Sequence, residues 1–188
     1  SLYSIFFGFK NIYIITKETF FSNIYINSFP QNLVLNNFKI SNIAIGEAGK
    51  FVFWVKPKKA IDLVGLNSKN IINDGPYKIL NEQKPDLIFF HHINTIKLSD
   101  KVNRNQDYIE INDFNLFETK DDYNNYKLPI RVAAAMSVKF IKENSDLYRA
   151  YFVKYGPNDK NFFHVYFIKK RLDNEKFEEI LKESFKKK

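Results

Sequence analysis

A chain of 188 residues suffices for one ordinary domain and is too short for two large ones. Its 45% hydrophobic and 27% charged residues exclude wholesale disorder, and no apolar run reaches the roughly 18 residues needed to cross a bilayer. With 0 cysteines there is no disulfide framework, thiolate metal site or cysteine nucleophile, and the formal charge of +8 favours anionic partners.

That charge has a second source. Lys, Asn, Ile and Phe abound, while Gly and Pro number only 6 each, a bias typical of AT-rich coding that raises Lys without selection for a partner. The N-terminus has no basic segment ahead of an apolar stretch and no small-residue cleavage site, so it does not read as a signal peptide. It also lacks an initiating Met, and further sequence is expected upstream.

Phe7 to Asn27 is apolar and aromatic with few breakers and predicts a helix. It is expected to end at a turn near Ser28-Phe29-Pro30, where proline biases its predecessor away from helix. Lys39 to Gly46 predicts a short strand closed by glycine, and Phe51 to Val55 a second one ended by Pro57. Ala60 to Val64 gives a third, stopped by Gly65. Ser68 to Leu80 predicts a helix and loop broken at Gly75-Pro76, and Leu87 to His91 a buried strand. Asp107 to Ile111 alternates and predicts another strand.

The last third is plainer. Ile130 to Asn144 has helical apolar spacing at Val132, Met136 and Phe140. Tyr148 to Tyr155 and Phe162 to Ile168 flank Gly156-Pro157-Asn158-Asp159 and predict a hairpin. Asp173 is a cap for a final helix with Phe177, Ile180, Leu181 and Phe185 as its apolar stripe. The Lys186-Lys187-Lys188 end suits a helix C-terminus. Interleaved strands and helices predict an α/β fold over residues 1–188, a single compact domain with a mixed sheet flanked by helices and a C-terminal β-hairpin and helix.

Motifs for chemistry are sparse. Gly46-Glu47-Ala48-Gly49-Lys50 lacks the spacing of a phosphate loop and the Ser or Thr after its Lys. There is no Gly-x-Ser-x-Gly elbow and no His-Glu-x-x-His. His91 and His92 would point to opposite faces of a strand, which disfavours a shared metal, and neither a metal nor a cofactor is expected. His164 reads as a packing or surface residue, and Asp62 and Asp86 as acids near strand termini that serve turns and caps. Aromatic residues (17%) mixed with basic ones from Tyr148 to Arg171 would suit base stacking, and suit core packing equally well.

Three stretches in fixed order carry a resemblance. They are Ile45-Gly46-Glu47-Ala48-Gly49-Lys50, Ala60-Ile61-Asp62-Leu63-Val64-Gly65-Leu66-Asn67 and Lys84-Pro85-Asp86-Leu87-Ile88-Phe89-Phe90-His91. Together with Phe163-His164-Val165-Tyr166-Phe167, the region from Phe38 to Phe167 resembles the soluble C-terminal region of bacterial multi-spanning GT-C glycosyltransferases, which use lipid-linked sugar donors.

The resemblance implies a domain on the extracytoplasmic (periplasmic) face of the inner membrane, attached to membrane helices of the same polypeptide. It implies that the main catalytic base lies elsewhere, with this region covering the active site or binding acceptor or donor, a lipid-linked sugar phosphate among them. It singles out Glu47, Asp62, Asn67, Asp86 and His91 as positions. Read physically, Glu47, Asp62, Asn67 and His91 follow short β-type runs, and parallel neighbouring strands would gather them at one edge as a polar substrate-binding site. The competing reading has them tie loops together. The alternatives in other classes are a free-standing basic nucleic-acid-binding module, without sequence-specific binding, and a small soluble hydrolase centred on Glu47 and His91.

Overall fold

The computed structural model describes residues 29–46, 50–65, 69–90, 97–98, 106–118, 129–155 and 162–186. The expected helix from Phe7 to Asn27 lies outside them. The described part opens on helical residues 29–35 (α1). Then follow β1 (Asn42–Ile45), α2 (Lys50–Val55), β2 (Lys59–Asp62), α3 (Lys69–Gln83) and β3 (Leu87–Phe90). β4 (Lys97–Leu98), β5 (Tyr108–Ile111), a 3-10 turn (Phe114–Leu116) and β6 (Phe117–Glu118) come next. The chain continues with α4 (Pro129–Glu143), β7 (Tyr148–Tyr155), β8 (Phe162–Lys169) and α5 (Asn174–Lys186).

Six strands form one mixed sheet in the order β2-β1-β3-β8-β7-β5, and β4 pairs with β6 beside it. β1 runs parallel to β2 and to β3, while β3–β8, β8–β7 and β7–β5 are antiparallel. The fold is the expected one: α/β, a single compact domain, a mixed sheet flanked by helices, and a C-terminal hairpin followed by a helix.

The strands read as nearly continuous apolar runs because helices cover both faces. Ala44, Ile88, Phe90, Phe152, Val165 and Phe167 pack with residues of α3 and α4. Ile43, Ile45, Leu87, Phe89, Tyr166 and Ile168 pack with α1, α2 and α5. Adjacent strand residues thus go to opposite layers, as the two-residue period requires.

Two local expectations change. Phe51 to Val55 is helical, within α2, and not a strand. An unbroken apolar run of five has no period to separate helix from strand, and the parallel β1–β2 pair needs a crossover that returns the chain to the starting edge. Phe51 is buried, with Val52 and Val55 packed beside it, a spacing one helix face supplies. Phe29 and Pro30, expected in a turn, are helical. Phe29 is buried edge-on against Tyr166 and Phe177, each with ring centroids 5.4 Å away, and this packing outweighs the local bias of a following proline.

Other signals operate as the residues suggest. Gly75 interrupts α3 with φ 77° and ψ 160°, a backbone conformation that glycine reaches without steric cost. Asp173 caps α5 through its carboxylate, which accepts from the Lys176 amide at 3.0 Å, and Phe177, Ile180 and Leu181 form the buried stripe. α1, α2 and α3 are each followed by a left-handed residue, Asn37, Lys56 and Lys84, that turns the chain out of the helix.

Gly46, directly after β1, is required by proximity rather than by φ. A Cβ there would press into the Phe90 ring and stand 2.7 Å from Ile130 Cδ1. Phe90 is fully buried and has no room to retreat. Gly46→Ala is therefore expected to lower unfolding stability by about 1–3 kcal/mol through overpacking, measured by urea denaturation. Unchanged stability would show that the ring yields freely.

Candidate functional site at the carboxyl edge of the parallel strands

The parallel half of the sheet is built from two crossovers. β1 feeds α2, which packs on one face, and β2 feeds α3, which packs on the other. Because β2 and β3 lie on either side of β1, the order β2-β1-β3 places a topological switch between β1 and β3. In open α/β sheets ligands bind outside the carboxyl ends of strands at such a point.

The three strands end in register there. Ile45 is paired with Asp62 on one side and with Phe89 on the other. The Gly46 amide donates to Phe89 O at 3.1 Å, and the Leu63 amide to Ile45 O at 2.9 Å. The carboxyl ends of the three parallel strands therefore share one edge, marked by Gly46, Asp62 and Phe90, each within one of the motif segments.

Among the four residues named for this edge, Asp62 is described and Glu47, Asn67 and His91 lie outside the described residues. Glu47 follows Gly46 in the chain and His91 follows Phe90. Asp62 is buried, and its Oδ1 accepts from the Val64 amide at 3.0 Å and the Gly65 amide at 3.3 Å. This is an Asx turn that shapes the start of the β2–α3 connection, with Gly65 at φ 85°. At Asp62 the loop-tying chemistry is present, at the same edge as the other two strand ends.

Asp86 belongs to the opposite edge. It precedes β3, is 3% exposed, and joins three strands. Its Oδ2 accepts from the Ser41 and Asn42 amides, each at 3.1 Å. Its Oδ1 accepts from the Arg171 guanidinium at 2.7 Å and faces the Lys169 ammonium at 3.7 Å. Its own amide donates to Asn42 O at 2.8 Å, and its carbonyl accepts from the Lys169 amide at 3.0 Å. Beside it, the Tyr148 hydroxyl donates to Pro85 O at 2.7 Å. Burial by itself would raise the Asp86 pKa, but Arg171, the two amides and Lys169 outweigh it and hold the carboxyl below its usual range.

A second concavity, of about 640 Å³, lies along edge strand β5 and is lined by Gln106, Asp107, Tyr108, Ile109, Glu110 and Glu178. Its acids are engaged in structure. Arg149 bridges Glu110 at 3.2 Å and Glu178 at 4.0 Å, and the Tyr151 hydroxyl donates to Glu178 at 3.0 Å. This network fastens α5 to the antiparallel half of the sheet.

The aromatic hairpin is core. Tyr148, Tyr151, Phe152, Tyr166 and Phe167 are all buried, so none of them offers an open platform for stacking bases. His164 is buried as well, its ring edge-on to Phe89 and its Nδ1 3.3 Å from the Tyr166 hydroxyl. Among the described residues no group of three His, Asp or Glu side chains is placed to hold a metal ion, and no helix is long and apolar enough to cross a membrane. Comparison of the chain with protein-family models, curated proteins and solved structures finds no match.

The Asp86 joint makes a pH-dependent contribution with a definite sign. Its folded pKa is depressed, so the stabilisation is fully present above the unfolded value of about 3.9 and is lost as pH falls through the folded value. Asp86→Ala is expected to cost about 2–4 kcal/mol near neutral pH. Arg171→Ala should cost under about 1 kcal/mol, since the Arg171 side chain is 69% exposed and solvent screens the pair. Urea melts between pH 3 and 7 check this: the wild-type curve should fall more steeply below about pH 4 than that of Asp86→Asn. Parallel curves would assign the acid loss to other carboxylates.

Proposed function

We propose that this chain is an extracytoplasmic accessory domain of a membrane glycosyltransferase that uses a lipid-linked sugar donor, and that the β1–β3 edge takes part in binding donor or acceptor. The observation that carries this reading is the common edge of Gly46, Asp62 and Phe90, which mark the carboxyl ends of three strands and lie within the segments that carry the resemblance to the GT-C enzymes. A switch between β1 and β3 is where an α/β sheet commonly receives a ligand. Glu47 and His91, next in the chain after two of these ends, supply a carboxylate for sugar hydroxyls and an imidazole that changes charge near neutral pH. Asp62, engaged with the Val64 and Gly65 amides, acts here by shaping its loop. The burial of Tyr148, Tyr151, Phe152, Tyr166 and Phe167 in the hairpin weighs against the nucleic-acid module.

The test is titration of the 188-residue chain with a short-chain polyprenyl phosphate sugar, followed by NMR amide shifts. Shifts should concentrate on Gly46, Leu63 and Phe90, and Glu47→Gln and His91→Gln should each weaken binding about tenfold, the loss of one charge-assisted hydrogen bond. Shifts confined to the β5 side of the sheet, or equal affinity in both variants, would end the assignment of the edge. In the longer polypeptide that the proposal requires, the same variants should lower sugar transfer while leaving the melting temperature of the domain unchanged.

A further inference from the structure

The helix α2 carries two features that its packing does not use. Phe51 is its buried anchor, stacked on Phe89 at a centroid distance of 4.6 Å. Phe53, by contrast, is 67% exposed, one of the largest apolar exposures among the described residues. Trp54, the single tryptophan of the chain, is partly exposed beside it, ring to ring at 5.3 Å in an edge-on pair. Two residues on from Phe51, and about 200° around the helix from it, the Phe53 ring is displayed with a tryptophan at its edge.

Along the chain, the charges nearest this pair have one sign. From Ala48 to Ile61 there is no Asp or Glu, while Lys50, Lys56, Lys58 and Lys59 flank the aromatic residues. Lys56, Lys58 and Lys59 are exposed. Lys59 Nζ donates to Gln83 Oε1 at 2.5 Å. Lys56 is held in a left-handed conformation and is followed by Pro57, so the basic segment leaves the helix by a fixed turn.

We infer that α2 and the Lys56–Lys59 segment form a docking surface for an anionic lipid bilayer. In this arrangement Phe53 and Trp54 enter the headgroup region and the lysines lie against lipid phosphates. An exposed aromatic pair suits the interface because tryptophan has an apolar body with a polar N–H and prefers that depth. Lysine stems run along apolar surface while their ammonium groups reach phosphate. A nucleic acid would match the charge but gives the Phe53–Trp54 pair no comparable apolar layer, and a protein groove would not call for an acid-free, lysine-rich flanking sequence. The inference stands on the α2 surface alone and does not depend on the β1–β3 edge as a sugar site.

Trp54 makes the surface its own reporter, since all tryptophan emission comes from it. The experiment adds the 188-residue chain to vesicles of phosphatidylglycerol with phosphatidylcholine, and separately to phosphatidylcholine alone, and follows tryptophan emission and co-sedimentation. With anionic vesicles the emission should shift to the blue, acrylamide quenching should fall, and binding should weaken as salt rises. Phosphatidylcholine alone should bind far less.

Phe53→Ser should weaken partition about tenfold through lost apolar burial. Lys56→Ser and Lys58→Ser should each weaken it about fivefold. These three side chains are exposed, and circular dichroism with a urea melt verifies that each variant remains folded. The inference is overturned by no binding to anionic vesicles, by binding without any change in Trp54 emission, by binding unaffected by the substitutions, or by a lipid-free blue shift that grows with protein concentration. The last would assign the surface to a second copy of the chain. Shielding of Trp54 from acrylamide before lipid is added would likewise overturn it, by showing the surface already covered.

Discussion

Asp86 is where the two halves of the sheet are joined. On one side of it lie the parallel strands β1, β2 and β3, built by helical crossovers, and on the other the antiparallel β8, β7 and β5. The carboxylate receives amides from the chain entering β1, while Asp86's own backbone pairs with both Asn42 and Lys169. A buried anion in this position is tolerable only because four donors surround it; without them, desolvation would favour the neutral acid. The joint sets the relative register of β1, β3 and β8 at the amino edge, and the alignment at the opposite edge inherits that register strand by strand.

One end of the sheet is thus closed by ionic and backbone bonds, and the other is left to connections. At the carboxyl edge the polar chemistry that is described is local: Asp62 folds back on its own loop, and Gly46 has no side chain because Phe90 and Ile130 fill the space. A functional edge in an α/β sheet needs rigid strand ends and variable loops. The rigid ends here are Ile45, Asp62 and Phe89, held in direct register by the ladder. The edge-site proposal and the α2 surface draw on different physics, hydrogen bonding at strand ends in one case and apolar partition with charge in the other.

The second layer of the fold explains why aromatic abundance is not by itself a sign of recognition. Phe29, Phe38, Tyr151, Tyr166 and Phe177 make a continuous aromatic layer between the sheet and helices α1 and α5. Their edge-on and tilted contacts are those of a packed core. Tyr166 and Tyr151 show how such residues are accommodated: the first has its hydroxyl near His164, the second donates to Glu178. Burial raises the pKa of both phenols and keeps them protonated. Against that background Phe53 stands apart, because it is aromatic and outside the core.

Much of the architecture was legible in the residues themselves. Leu87 to His91 and the two arms Tyr148 to Tyr155 and Phe162 to Ile168 read as strands because β-type apolar runs bounded by turn residues have few other uses, and Asp173 read as a cap because its carboxylate needs only the amide three residues on. What could not be read was anything resting on partners far apart in the chain. The run Phe51–Val55 is helical because β1 and β2 are parallel, a fact of topology and not of the run. Asp62 could be recognised as a strand-end acid, but its place level with Ile45 and Phe89 follows from pairing alone. Asp86 could be seen to precede a strand, yet its partners lie 44, 45 and 85 residues away, and no local pattern encodes them. Sequence by itself determined the elements whose stability is local in origin, the periodic helices, the capped ends and the bounded strands. Only the tertiary structure decided the order of strands, the edge they share and the faces left exposed, because those depend on which apolar surfaces find each other and on which buried charges find donors.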